Sequence, residues 1–283
     1  MLRIISTGKG GVGKTTTIST LATMMAKEGK KVLVFDTDPS MNLAMTLGIP
    51  YQEVPTITEN KEEISEELDE MDEENAMAVG RNILDNYSKV NKDGIRIIIM
   101  GSIPEEGNGC LCSAVAIVKI LMNYVDSDRC PETYDAIFVD SQAGPEILGR
   151  GLAKDFDCNL IMTEPTPKSA EVSKQVASLA RKLGITMNLL VVNKSEREED
   201  VRKVAELVEV PLENAVRIRY DHSVIDADWN NLCLLDTYPD CNAIKDIYNI
   251  KNKLESIKEQ TQCANSQYIS MESQTATSSR LTS

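Results

Sequence analysis

Short apolar runs recur along the chain, and stretches with helical spacing lie between them. Leu2–Ser6 is the first run, followed by Lys31–Phe35, Ile95–Met100, Tyr134–Val139, Asn159–Met162 and Met187–Val192. Each suits a strand buried on both faces, as in a parallel sheet covered by helices. Thr16–Ala26 places Ile18, Leu21, Ala22 and Met25 on one helical face. Ser169–Leu183 carries Val172, Val176, Leu179, Ala180 and Leu183 at the same spacing, and Gly184 supplies a stop signal. Arg197–Val208 and Ala243–Ile257 predict further helices, with a strand-like segment around Val216 and Ile218 between them. This alternation predicts an α/β fold, a mostly parallel sheet with helices on both faces.

Two stretches break the rhythm. Pro50–Gly94 is polar and acidic, with most of its charge in Glu59–Glu74, and predicts a solvated or flexible insertion packed as peripheral helices. From about Gln262 the chain is Ser, Thr, Gln and Asn with little apolar content. Residues 1–258 are therefore expected to form one domain with a peripheral acidic insertion at about 50–94, and residues 259–283 a disordered polar tail. The net charge of −14 argues against non-specific nucleic-acid binding, which needs a cationic surface. No signal peptide and no membrane-spanning apolar stretch is apparent, so a cytoplasmic protein without a membrane partner is expected. The seven cysteines are odd in number and argue against a disulfide scaffold. Cys130, Cys158, Cys233, Cys241 and Cys263 are scattered, whereas Cys110 and Cys112 are not.

The first strand leads into Gly8-Lys9-Gly10-Gly11-Val12-Gly13-Lys14-Thr15-Thr16, which fits the phosphate-loop pattern Gly-x-x-x-x-Gly-Lys-Ser/Thr. Glycines let successive N–H groups surround a polyphosphate, and the helix N-terminus adds positive potential. Residues 8–16 are thus nucleotide-binding candidates, Lys14 reaching the terminal phosphates and Thr15 ligating Mg2+. The second strand ends in Asp36-Thr37-Asp38-Pro39, at the carboxyl edge where open parallel sheets bind ligands. Ala136–Val139 runs into Asp140, the acid expected to hold Mg2+ in a phosphate-loop enzyme. Gly144 beyond it could turn a backbone amide toward the γ-phosphate. Asn193-Lys194 ends a later strand, and the Asn193 carboxamide can hydrogen-bond both donor and acceptor edges of adenine.

Gly107-Asn108-Gly109-Cys110-Leu111-Cys112 precedes a predicted helix over Ser113–Met122, with Ser113 at or near its cap. Cys-x-Cys offers two thiolates per chain, and a tetrahedral thiolate site needs four. A two-fold dimer would double them into a shared site for Zn2+ or Ni2+, and Cu(I) also fits such ligands.

Lys9, beside the second glycine, resembles the deviant phosphate loop of the MinD/ParA/nitrogenase-iron-protein class of ATPases. That resemblance implies a lysine reaching the partner subunit's nucleotide, acting like an arginine finger. It also implies Asp38 as the residue that polarises the attacking water, so Lys9, Lys14 and Asp38 are the catalytic candidates. Thr15, Asp38 and Asp140 are the candidates around Mg2+. A closer resemblance lies in Asp140-Ser141-Gln142-Ala143-Gly144 followed by Leu148-Gly149-Arg150-Gly151, and in the Gly-Cys-x-Cys element. These are similar to CooC-type ATPases, maturation factors that insert nickel into carbon monoxide dehydrogenase. Thr163-Glu164-Pro165 and Arg219-Tyr220-Asp221 are similar as well, and Ser141-Gln142 departs from that family's Met-Glu. The resemblance implies ATP-dependent homodimerisation coupled to nickel binding at Cys110 and Cys112 and delivery to a client nickel enzyme. Two other readings remain open: an iron–sulfur electron carrier like the nitrogenase iron protein, and a MinD- or ParA-type positioning ATPase. The first lacks its second cysteine soon after Asp140, although Cys-x-Cys could hold a cluster in its own way, and the second does not account for Cys-x-Cys.

Overall fold

The computed structural model describes residues 1–72, 75–102, 111–127, 130, 132–149, 156–185 and 187–257. The apolar runs become the strands of one sheet. These are β1 (Leu2–Gly8), β2 (Val32–Asp36), β3 (Lys89–Val90), β4 (Arg96–Ile99), β5 (Ala136–Asp140), β6 (Cys158–Thr163), β7 (Met187–Ser195) and β8 (Ala215–Arg219). Their order is β3-β4-β2-β5-β1-β6-β7-β8. Every described pairing is parallel except β3 with β4. β1 lies between β5 and β6, so the chain reverses its direction of winding at β1 and opens a crevice at the strands' carboxyl ends.

Side chains alternate across each strand and divide the core into two slabs. Ile4, Val34, Phe138, Leu160 and Val191 face one way, against α1 (Lys14–Lys27), α2 (Asn42–Thr46) and a C-terminal helix α11 over 242–257. The short helices α9 (His222–Trp229) and α10 (Leu234–Thr237) close the same side. Ile5, Phe35, Val139, Ile161 and Leu190 face the other way, against α5 (Leu111–Val125), α7 (Pro167–Lys182) and α8 (Glu198–Val208). A one-turn helix, α6 (Glu146–Gly149), follows β5. Helix α7 starts at Pro167, ahead of the predicted Ser169, for physical reasons: the Thr166 hydroxyl accepts from the Ser169 N–H, and Pro167 occupies the first turn, where its missing N–H costs nothing.

The acidic insertion is more deeply integrated than its composition predicts. It folds as α3 (Lys61–Asp69) and α4 (Ala76–Asn86), and Ile57, Ile64, Ile83, Leu84 and Tyr87 join the core slab that contains α5. Helix α4 meets α5 so closely that a Cβ on Gly80 would enter the Tyr124 ring, and the Tyr124 hydroxyl donates to the Met77 carbonyl at 3.1 Å. The acids occupy the exposed positions of an amphipathic segment rather than a loose solvated run. The β3–β4 hairpin that ends the insertion was not expected. Asn91 makes it, its side-chain oxygen accepting from the N–H groups of Asp93 and Ile95 while Gly94 takes φ 81°. Helix α5 begins at Leu111, so Ser113 lies within its first turn rather than at its cap. The predicted tail over 259–283 and Cys263 lie outside the described residues. Among the described residues, no helix is long and apolar enough to cross a membrane.

Candidate functional site

Three positive φ angles shape the loop between β1 and α1: 139° at Gly8, 77° at Gly11 and 93° at Gly13. Two are enforced by close neighbours as well as by the turn. A Cβ on Gly8 would collide with the Met162 carbonyl of β6, and one on Gly13 with the Asn193 carboxamide near the end of β7. The loop is thus threaded between β1 and the ends of β6 and β7, with α1 starting directly beneath it. Lys14 is buried and folds back so that Nζ donates to the Lys9 carbonyl at 3.4 Å. Lys9 is exposed.

The acids gather at the adjacent strand ends. Parallel registry sets Ser6, Asp140 and Asp36 side by side on β1, β5 and β2. Asp140 accepts from the Ser6 hydroxyl at 3.0 Å and from the Thr15 hydroxyl at 2.5 Å. Asp36 accepts from the N–H groups of Asp38 and Leu43, both at 3.1 Å, and so holds the loop that carries Asp38. Asp38 is half-buried and accepts from the Ser40 N–H at 3.0 Å and its hydroxyl at 2.7 Å.

Burial governs the charge of this cluster. It raises the Asp140 carboxyl to about 6, with Thr15, Lys14 and Ser6 opposing the shift and Asp38 adding to it. Asp36 is driven well above the usual carboxylate range, first by burial and then by Asp140 beside it. A divalent cation would relieve both effects, and Asp140 with the Thr15 hydroxyl offers it an oxygen-only donor pair. Among the described residues no cluster of three or more His, Cys, Asp or Glu stands ready as a metal cage. Mg2+ needs none, since it keeps waters and takes phosphate oxygens in addition to one or two protein ligands.

A cavity of about 540 Å³ opens over the loop, lined by Gly13, Lys14, Thr15, Asp38 and Asn42, with Asp228 on its far wall. A second cavity, of about 290 Å³, shares Gly11, Gly13 and Thr16 with it and is more apolar, with Ile218, Tyr220, Val224 and Ile247 in its walls. A polar chamber that holds Lys14, joined to a more apolar one, suits a phosphate chain joined to a base. Asn193 lines the second chamber, as its motif predicted, but its amide nitrogen donates to the Val12 carbonyl at 2.8 Å and its oxygen accepts from the Lys194 N–H at 2.8 Å. Arg219 and Asp221 also line it. The Arg219 guanidinium is bound twice by Asp246 at 2.8 Å, and Asp221 caps α9 through the Ser223 N–H at 3.0 Å.

One expected feature is placed differently. The Gly144 N–H donates to the Gly8 carbonyl at 2.9 Å, so in this state it ties the segment after β5 to the phosphate loop rather than facing a γ-phosphate. Helix α9 contributes to both cavities and Asn231–Leu232 after it to the first, and neither was foreseen. Their signal in the sequence was Asp221 two residues before Ser223, an N-cap pattern ahead of a short mixed helix. The proposed metal pair is only partly visible. Cys110 and the Cys112 side chain lie outside the described residues, while the Cys112 backbone is in the first turn of α5.

A family model for the CobQ/CobB/MinD/ParA nucleotide binding domain matches residues 4–235. The carbon monoxide dehydrogenase accessory protein CooC of Rhodospirillum rubrum is 28% identical over 246 residues, covering 85% of this chain and 92% of that protein. An uncharacterized ATP-binding protein of Methanocaldococcus jannaschii is 32% identical over 273 residues, covering 92% of this chain and 100% of its own length. Among solved structures, the septum site-determining protein MinD of Pyrococcus horikoshii, complexed with Mg-ADP, aligns with a TM-score of 0.67 at 20% identity, covering 91% of this chain and 98% of that one. The chain belongs to the CobQ/CobB/MinD/ParA nucleotide-binding family, as a CooC-like ATPase of the MinD/ParA class.

Proposed function

We propose that this ATPase is a metallochaperone: it dimerises with nucleotide, carries nickel on a cysteine site shared between two chains, and delivers it to a client metalloenzyme. The observation that supports this most is the Gly-Cys-x-Cys element at residues 109–112, immediately ahead of and entering the sequence of α5, in a chain similar to CooC along most of its length. Cys110 and Cys112 of each subunit supply two thiolates, and a two-fold axis makes four. Nickel, or zinc in the same ligands, is the cargo. The client in CooC-type function is carbon monoxide dehydrogenase, and that assignment rests on the resemblance alone.

The nucleotide site drives the cycle. The loop of Gly8–Thr16 wraps the phosphates, Lys14 moves from the Lys9 carbonyl to the terminal phosphates, and the Thr15 hydroxyl turns from Asp140 to face the cation. Mg2+, when bound, neutralises the charge that develops on the transferring phosphoryl group. Asp38 orients the attacking water, and Asp36 holds the Asp38 loop in place. Lys9, exposed on the mouth of the site, reaches the nucleotide of the partner subunit. The Asn193 carboxamide retains one N–H and one lone pair for adenine beyond the bonds it already makes.

An iron–sulfur carrier needs a second cysteine soon after β5. The first one there, Cys158, is enclosed in β6, and burial pushes its thiol up to about 12. That placement favours the chaperone reading. The test is mass measurement on the purified protein with ATP, with nickel and with both. The proposal expects a nucleotide- or metal-dependent dimer, with one nickel per two chains. A protein that stays monomeric throughout, or that fails to bind nickel as a dimer, overturns it.

A further inference from the structure

The carboxyl-end stretch of β7 shows a combination of features that base recognition does not require. Lys194 has φ 55°, a left-handed backbone that an L-residue with a Cβ adopts at a cost. The β7–β8 pairing slips between Val192 and Ser195, so Asn193 and Lys194 form a bulge. Strained bulges of this kind re-aim side chains. Here both are aimed at the outer side of the phosphate loop. Asn193 donates to the Val12 carbonyl and Lys194 Nζ to the Gly11 carbonyl, each at 2.8 Å. The Lys194 ammonium is balanced by Glu164, at the end of β6, at 2.7 Å.

A phosphate loop works by turning its N–H groups inward, which requires its carbonyls to point outward. Two consecutive peptide planes are therefore fixed from behind by two consecutive residues of the bulge. We infer that Lys194, with Glu164 as its counter-ion, is a positioning residue for ATP binding: it holds the Gly11 peptide in the orientation that presents the loop's amides to the phosphates. The strain at Lys194 is maintained because the bulge places its side chain where a regular strand would not. This rests on the nucleotide-site reading above and extends it to side chains that hold the loop rather than the phosphates.

The experiment measures ATP affinity, steady-state hydrolysis and thermal stability for four single variants of the full chain. Lys194→Gly removes the side chain and also the left-handed strain, so its melting temperature should be no lower than that of the parent protein. Its ATP affinity should nevertheless weaken by about tenfold, as expected for losing a charge-assisted hydrogen bond, with most of the change in KM. Glu164→Gln should weaken affinity by roughly threefold, and Lys194→Arg should retain most of it. Lys14→Ala is the internal control and should lose binding altogether. If Lys194→Gly and Glu164→Gln bind ATP as the parent does while Lys14→Ala does not, the positioning role is wrong and the nucleotide site stands. If Lys14→Ala also binds normally, the nucleotide site itself is misplaced. A loss of stability in Lys194→Gly with unchanged KM would make the bulge purely structural and overturn the inference.

Discussion

The centre of the sheet and its β7–β8 edge both face the nucleotide cavities, yet they are built on different principles. At the centre, Ser6, Asp36 and Asp140 are fully enclosed, and their strands carry the acids at their last positions. Charge is concentrated there in a dry site, where an electrostatic interaction is strong and a misplaced one is costly. At the edge, Asn193, Lys194, Arg219 and Asp221 are half-buried or exposed, and the described contacts pair each with another protein group. The centre is poised for chemistry, and the edge supplies a scaffold around a mostly apolar chamber. The difference predicts that substitutions at the centre alter catalysis by orders of magnitude, while substitutions at the edge alter affinity by small factors.

The largest effect is expected at Lys14. Lys14→Ala should weaken nucleotide binding by at least about a hundredfold, because a buried ammonium beside the phosphates has no substitute. Equilibrium titration with a fluorescent ATP analogue checks this. Next comes Asp38→Ala, expected to bind ATP near the parent affinity and to hydrolyse it at least about a hundredfold more slowly, the size of a lost proton-handling group. Hydrolysis at the parent rate would remove Asp38 from its role and narrow the contrast between centre and edge.

Asp140 gives the contrast a stability signature. Its carboxyl is raised to about 6 from 3.8, so between those values the folded state holds the proton more tightly than the unfolded chain does. The nucleotide-free protein should therefore lose stability as pH rises from about 4 to 6, and carry the full penalty, of order 3 kcal/mol at most, above that. Asp140→Asn should recover part of it at pH 7 while hydrolysis is lost, a trade of stability against activity. Denaturant melts across this pH range, without nucleotide, measure the slope; a flat profile would show that the buried acids are not the charged centre described here.

Much of this was legible because local patterns were strong. An apolar run that ends in an acid and a glycine-rich loop before a helix both survive as motifs in one stretch of chain. Asn193 was legible as a site residue, but its partner, the Val12 carbonyl, lies 181 positions away, so its grip on the phosphate loop was invisible. The insertion misled for a related reason. Ile64 sits among acids and Ile83 among small and polar residues, and their burial depends on α5, a partner the local pattern does not reveal. Helix α9 is short and weakly patterned, and it becomes important only because the fold lays it across both cavities.

A smaller effect should appear at the Arg219–Asp246 pair, which joins β8 to α11 behind the base chamber. Asp246→Ala should weaken ATP binding by about fivefold, in keeping with a partly exposed pair, and leave competition by pyrophosphate unchanged. Equal weakening of both ligands would mean that the edge and the phosphate site act as one unit.

The central claim is that two chains share one cargo metal on four thiolates. X-ray absorption on the nickel-loaded protein, with mass measured on the same sample, tests it most directly. The account predicts a first shell of four sulfurs, one nickel per two chains, and loss of that signal in Cys110→Ser and in Cys112→Ser. A shell dominated by nitrogen and oxygen, or one nickel per chain unaffected by either substitution, would contradict it.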